Sequence, residues 1–296
     1  MGIMNLRIAG YNIGIVAEAG QKKLAIPEKF LRCEVKDPNP EIVIRVRNGF
    51  EELPVNAVRI FYSPFIVEAD GVPVVKSPDF WSIWRHQENY YIRTSFPVSG
   101  SQKTGILRFS LTERKWDMWI EAPDDAINPL EYPMDSLILY YLTVINMDIM
   151  IHASGVAYRD SGFLFSGISG KGKSTIAHIW EENGATVIHD DRLVIRKADE
   201  GYRMFNTPVY ENDVPKECRL GSIFLIDHGP EVKLVRLLNS AAVSRVMANC
   251  IQHAWGNIPL SRLLGSVTAL CGEIPVSALT FSPDSSVVEK ILESNG

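Results

Sequence analysis

The sequence predicts an α/β protein in two parts, a mainly antiparallel β module over residues 1–125 and a domain with a mixed sheet over residues 126–296. Short β-branched and aromatic runs separated by turn residues fill the first part. In the second, an apolar run ends directly on a glycine-rich loop that opens a helix. Just upstream, the turn Arg159-Asp160-Ser161-Gly162 joins two strand-like runs, and a turn that tight connects only antiparallel neighbours.

The strands of the first part are read at Leu6 to Ile8, Ile42 to Val46, Val58 to Phe61, Tyr90 to Thr94, Ile106 to Leu111 and Trp116 to Ile120. Asp37-Pro38-Asn39-Pro40 and Asp70-Gly71 are the turns between them. The aromatic residues Trp81, Trp84, Tyr90, Tyr91, Trp116 and Trp119 form either a ligand surface or one face of a core. Alternation at Trp116, Met118 and Ile120 favours the core. His86 sits among polar residues and is given no role.

Ala122-Pro123-Asp124-Asp125 and Asn128-Pro129 read as a connector, which sets the boundary near residue 125. From Asp135 to Met147, apolar residues at 137, 138, 141, 142 and 145 keep a helical period, with Pro133 near the first turn. This helix is expected to pack on the sheet that follows.

A strand over Asp148 to Tyr158 leads through the tight turn to Phe163-Leu164-Phe165 and then to Gly167-Ile168-Ser169-Gly170-Lys171-Gly172-Lys173-Ser174, which fits G-x-x-x-x-G-K-[ST]. Glycines let backbone N–H groups approach phosphate oxygens, and the helix adds its N-terminal partial charge. Gly167, Ser169, Gly170, Lys171, Gly172, Lys173, Ser174 and Thr175 are therefore the expected nucleotide contacts. Lys173, expected to face solvent until phosphate arrives, serves the β/γ-phosphates, and the Ser174 hydroxyl is placed for Mg²⁺. The plain alternative is a glycine-rich turn that matches by accident. The helix runs from Thr175 to Glu182 with Gly184 as its stop.

Next, Thr186-Val187-Ile188 ends on His189-Asp190-Asp191. Adjacent carboxylates repel unless a cation or proton separates them. Beside Mg²⁺ and a triphosphate, one could accept a hydroxyl proton while the other neutralises metal charge. A helix N-cap or solvated turn is the structural alternative. His152, alone, would be an ordinary core histidine; one hairpin away from the loop it becomes a candidate. His189 alternates to the other strand face and is left out of the chemistry.

A strand with His, a hairpin, this loop and then Asp-Asp resembles the kinase domain of the HPr kinase/phosphorylase family, whose fold is shared with phosphoenolpyruvate carboxykinase. His152 precedes Lys173 by 21 residues, and Asp190 and Asp191 follow it by 17 and 18, as the family pattern requires. The resemblance covers about residues 130 to 296 and implies ATP and Mg²⁺ as cofactors and a hydroxyl acceptor, a serine of a protein or peptide. It implies catalytic roles for His152, Asp190 and Lys173, with Ser174 and Asp191 on the metal; the division of labour within the Asp pair stays open. The phosphorylase-type enzymes carry a second glycine-containing signature after the Asp pair, and nothing here matches it. Glu211 and Arg219 are the nearest stand-ins, so HPr itself as substrate and phosphorolysis are not implied.

Ser222 to Asp227 reads as a buried strand, Asn239 to Cys250 as a helix, Ile274 to Phe281 as a strand and Ser285 to Glu293 as a terminal helix. A length of 296 residues gives ample material for buried cores, and 46% hydrophobic with 22% charged residues is a globular composition. A net charge of −5 and no polybasic block give no reason to expect nucleic acid or a membrane surface as partner. No apolar run reaches spanning length and no signal segment is seen, so a cytoplasmic setting is expected; self-association is left open. Cys33, Cys218, Cys250 and Cys271 show no metal or disulfide spacing. Three functions fit: a kinase acting on a hydroxyl, a nucleotide-binding regulatory module without transfer, and an ordinary P-loop hydrolase using Asp227 as its acidic residue.

Overall fold

A computed structural model describes residues 3–20, 22–36, 39–69, 72–95, 103–123, 125–252 and 257–295. The expected turn residues Asp37, Pro38, Asp70 and Gly71 and the connector residue Asp124 lie outside them. By contacts the chain divides between Ile145 and Asn146, with Pro208–Val214 joining the first unit, whereas the sequence reading set the boundary at 125.

The first unit runs β1 (Ile3–Ile8), β2 (Tyr11–Ala17), β3 (Lys23–Leu24), α1 (Glu28–Leu31), β4 (Ile42–Asn48), β5 (Val58–Ala69), β6 (Val72–His86), β7 (Asn89–Ser95), β8 (Thr104–Phe109), β9 (Lys115–Glu121), β10 (Ala126–Ile127) and α2 (Met134–Asn146). Its main sheet has the order β1-β2-β4-β9-β8-β7-β6-β5. From β5 to β9 it is an antiparallel meander, as expected, but β4 pairs in parallel with both β2 and β9. Parallel neighbours need a crossover, and the long excursions from β2 to β4 and from β4 to β9 supply it.

Strand alternation sorts the sheet into two faces. Ile42, Ile44, Val46, Trp116, Met118 and Ile120 are buried on one, so the core reading of the Trp116 run is the observed one. Helix α2 packs there: the Tyr141 ring lies 4.4 Å from Phe109, which is 5.1 Å from Trp116. Tyr141 completes the aromatic core of its own unit, and α2 is buried nearly all round rather than along one stripe.

The second unit runs β11 (Ile149–Tyr158), β12 (Ser161–Ser166), α3 (Lys173–Glu182), β13 (Thr186–Ala198), β14 (Gly201–Asn206), β15 (Glu217–His228), β16 (Lys233–Leu237), α4 (Asn239–Met247), α5 (Asn257–Glu273), β17 (Val276–Phe281) and α6 (Ser286–Asn295). The sheet is mixed. β12 is antiparallel to β11 and parallel to β15. Hydrogen-bonded neighbours therefore run β12-β11-β13-β14-β15 and back to β12, a closed circuit, and β17 and β16 extend it beyond β15.

Two cores line this sheet. One gathers Ile149, Ile151, Leu193 and Met204 with Ala242 and Val246 of α4 and Val267 and Leu270 of α5. The other gathers Phe163, Phe165 and Phe224 with Ile176 and Trp180 of α3 and Val287 and Ile291 of α6. Burial of Ile176, Ile179 and Trp180, at helical spacing, clamps α3 against the strand that feeds the glycine loop. Asn183 caps α3 and Gly184 follows in the left-handed region, as expected of its stop. Among the described residues no helix is long and apolar enough to cross a membrane.

Candidate functional site

The loop between β12 and α3 is shaped by its glycines. Gly170 and Gly172 have φ of 80° and 86°, where a side chain would strain the backbone. At Gly167 a Cβ would come 3.0 Å from the Ile226 carbonyl oxygen, a tight approach that glycine relieves where the loop leaves beside β15. Gly172 then caps α3, whose first turn holds Lys173, Ser174 and Thr175, the last two exposed. Ser169 is exposed too.

Lys173 departs from the expected solvent-facing pose. Its Nζ donates to the carbonyls of Gly167 at 2.9 Å and Ile168 at 3.3 Å, folding the ammonium across its own loop. An ammonium has three donors, and these carbonyls are near acceptors. The far end of β15 holds the tip of the same loop. Lys171 Nζ donates to Asp227 Oδ1 at 2.7 Å, and His228 Nε2 lies 2.9 Å from the Gly170 carbonyl oxygen. The Lys171 hydrogen bond, then the His228 N–H, hold the Asp227 carboxyl below its usual range.

Register places the acidic pair. Ser166, the last residue of β12, lies opposite Ala153, and Ala153 lies opposite Asp191 on β13. Asp191 is thus two strand spacings, about 10 Å, from the start of the loop. Asp190 lies opposite Ser154, whose buried hydroxyl donates to Asp190 Oδ1. Both aspartates sit inside a continuous strand. The N-cap and turn alternatives therefore fall, as does the expectation that a strand ends there: Leu193-Val194-Ile195 resume a buried run and β14 gives it a partner.

Of the two aspartates, Asp191 is the one beside His152. His152 Nδ1 lies 4.0 Å from Asp191 Oδ1, while Asp190 is engaged by Ser154. Asp191 Oδ2 also takes a 3.0 Å bond from Arg192 Nε. His189, given no role from sequence, is buried and accepts the N–H groups of Asp191 and Arg192 on Nδ1, at 3.1 and 3.3 Å. Ser154, His189, Arg192 and His228 were thus missed. Ser154 could have been found two residues from His152 on the same strand face; His228 could not, because only the fold brings β15 beside the loop.

Glu211, one of the two stand-ins for the missing signature, lies in the segment that joins the first unit, and Arg219, the other, lies in β15 of the second.

No protein-family profile matches the chain, and no curated protein matches it in sequence. Among solved structures, the Hpr(Ser) kinase/phosphatase from Coxiella burnetii is similar over 49% of this chain and 91% of that chain, at 10% identity and a TM-score of 0.30. At that score the likeness carries no weight for the chemistry of this chain.

Proposed function

We propose that the second unit is an ATP- and Mg²⁺-dependent kinase that transfers the γ-phosphoryl group to a hydroxyl, a serine of a protein or peptide. One observation carries the reading: a G-x-x-x-x-G-K-S loop with two left-handed glycines opens a helix beside a strand pair that presents His152, Asp190 and Asp191. The residues present are compatible with a nucleotide-borne Mg²⁺. Such an ion takes one or two carboxylates plus phosphate oxygens rather than a protein cage, and no cluster of three or more metal-binding side chains occurs among the described residues. Ser174 and Asp191 would hold it, and bound there it would neutralise phosphate charge.

The chain's own groups do the rest. Lys173 exchanges its two loop carbonyls for phosphate oxygens, and loop N–H groups with the α3 terminus orient them. Asp190, held in one rotamer by Ser154, accepts the acceptor's hydroxyl proton. His152 and Arg192 flank Asp191 and fix its orientation. Incubation with labelled ATP and serine peptides tests the proposal; no labelled acceptor, with wild-type background hydrolysis retained in Asp190→Asn, would turn it towards a regulatory nucleotide-binding module.

A second reading has its own observation. Asp227 lies near the end of β15, the parallel neighbour of β12, and ion-pairs with Lys171 of the loop. An acidic residue there suits a P-loop hydrolase, in which it would take the metal role given above to Asp191.

A further inference from the structure

The outer face of the first unit concentrates positive charge in a chain whose formal net charge is −5. Asp117 stands on β9 with Arg45 directly opposite on β4 and Arg108 directly opposite on β8. Arg45 Nη2 lies 2.9 and 3.1 Å from its two oxygens, Arg47 Nη1 lies 3.1 Å from Oδ1, and Arg108 Nη2 lies 2.5 Å from Oδ2. A carboxylate has about four lone-pair sites, and these contacts use them.

Arg47 has a second carboxylate, Glu18, at 2.9 Å. Arg45 and Arg108 share only Asp117 between them as an ion-pair partner among the described residues, though each guanidinium carries about five donors. Their side chains stay 47% and 39% exposed. They open into a cavity of about 560 Å³, lined also by Arg114 and Lys115, against which stand Glu113 and Asp117. Arg45, Arg108 and Lys115 bring three exposed or half-exposed positive charges to it. Guanidinium donors that Asp117 does not take up line this cavity, where an acceptor on a ligand can replace the water that otherwise satisfies them.

We infer that this cavity is an oxyanion site that takes the phosphoryl or carboxylate group of a ligand between Arg45 and Arg108, with Lys115 alongside. Forked guanidinium donors match either group bidentately. Asp117 orients both arginines and keeps their free edges towards the cavity. The inference rests on the first unit alone and is independent of the kinase reading.

The test is calorimetric titration of the full chain with inorganic phosphate and, separately, with a polyglutamate peptide. Saturable binding of phosphate alone points to a phosphorylated small ligand, and of the peptide alone to an acidic polypeptide; either supports the site. Arg45→Gln should weaken binding about tenfold and Lys115→Gln about threefold, the scale of a charge-assisted contact and of an exposed charge. Lys115 is exposed and outside the Asp117 network, so its variant is expected to fold. The titrations are made in a Lys173→Ala background, so that phosphate taken up by the glycine loop is not counted. No saturable binding in that background, or binding that neither Arg45→Gln nor Lys115→Gln weakens, overturns the inference.

Discussion

Lys171 Nζ sits 2.7 Å from Asp227 Oδ1, tying the tip of the glycine loop to the end of the strand parallel to β12. Because Lys171 holds the Asp227 carboxyl below its usual range, the pair is intact at neutral pH and is lost only as pH falls through that lowered value. Asp227→Asn should therefore loosen the loop yet keep phosphoryl transfer within several-fold. A loss of Mg²⁺-dependent turnover on the order of 100-fold in this variant, with Asp190→Asn unaffected, would select the hydrolase reading instead.

Asp190→Asn should bind ATP as wild type does and lose transfer by on the order of 100-fold or more, the scale of a lost general base. Ser154→Ala frees the Asp190 carboxylate to rotate and should cost transfer less, about tenfold. Single-turnover transfer rates beside nucleotide affinities separate the two. Equal loss of ATP affinity in both variants would count against a proton-accepting role.

Lys173→Ala should weaken ATP binding by on the order of 10–100-fold, from charged hydrogen bonds worth about 1.5–3 kcal/mol. Since Lys173 also ties Gly167 and Ile168 together, hydrogen exchange at the loop should rise in the nucleotide-free variant. Unchanged affinity would remove the phosphate-binding reading of the loop.

The buried Asp117 gives the first unit an acid-sensitive point. Burial alone would raise its pKa, but the Arg108 hydrogen bond and the charges of Arg108, Arg45 and Arg47 outweigh that and lower it. Its stabilising contribution is thus present above the unfolded carboxyl range, near pH 4, and is lost as pH falls through the lower folded value. We expect about 1–3 kcal/mol, reduced by solvent screening of the half-exposed arginines. In Asp117→Asn, chemical denaturation between pH 2 and 5 should lose that slope.

Burial raises the thiols of Cys33 and Cys271 to about 11 and of Cys218 and Cys250 to about 12. Alkylation of the native chain near pH 8 should be slow at all four and fast once it is unfolded. A rapidly modified cysteine in the native protein would contradict this packing.

The local features of the second unit were legible because each is a short-range matter. A turn of fixed length forces an antiparallel hairpin, glycine supplies left-handed backbone at Gly170 and Gly172, and helical spacing buries Ile176 and Trp180. The sequence by itself thus determined the β12–loop–α3 unit, the hairpin before it and the alternation that buries Trp116, Met118 and Ile120. Only the tertiary structure decided which distant strands become neighbours. It put Ser154 rather than His152 on Asp190, brought Asp227 and His228 to the loop, drew Arg45, Arg47 and Arg108 around Asp117, and gave α2 to the first core. Those pairings depend on strand order and register, and both are set by the packing of whole faces against one another rather than by any local run of residues.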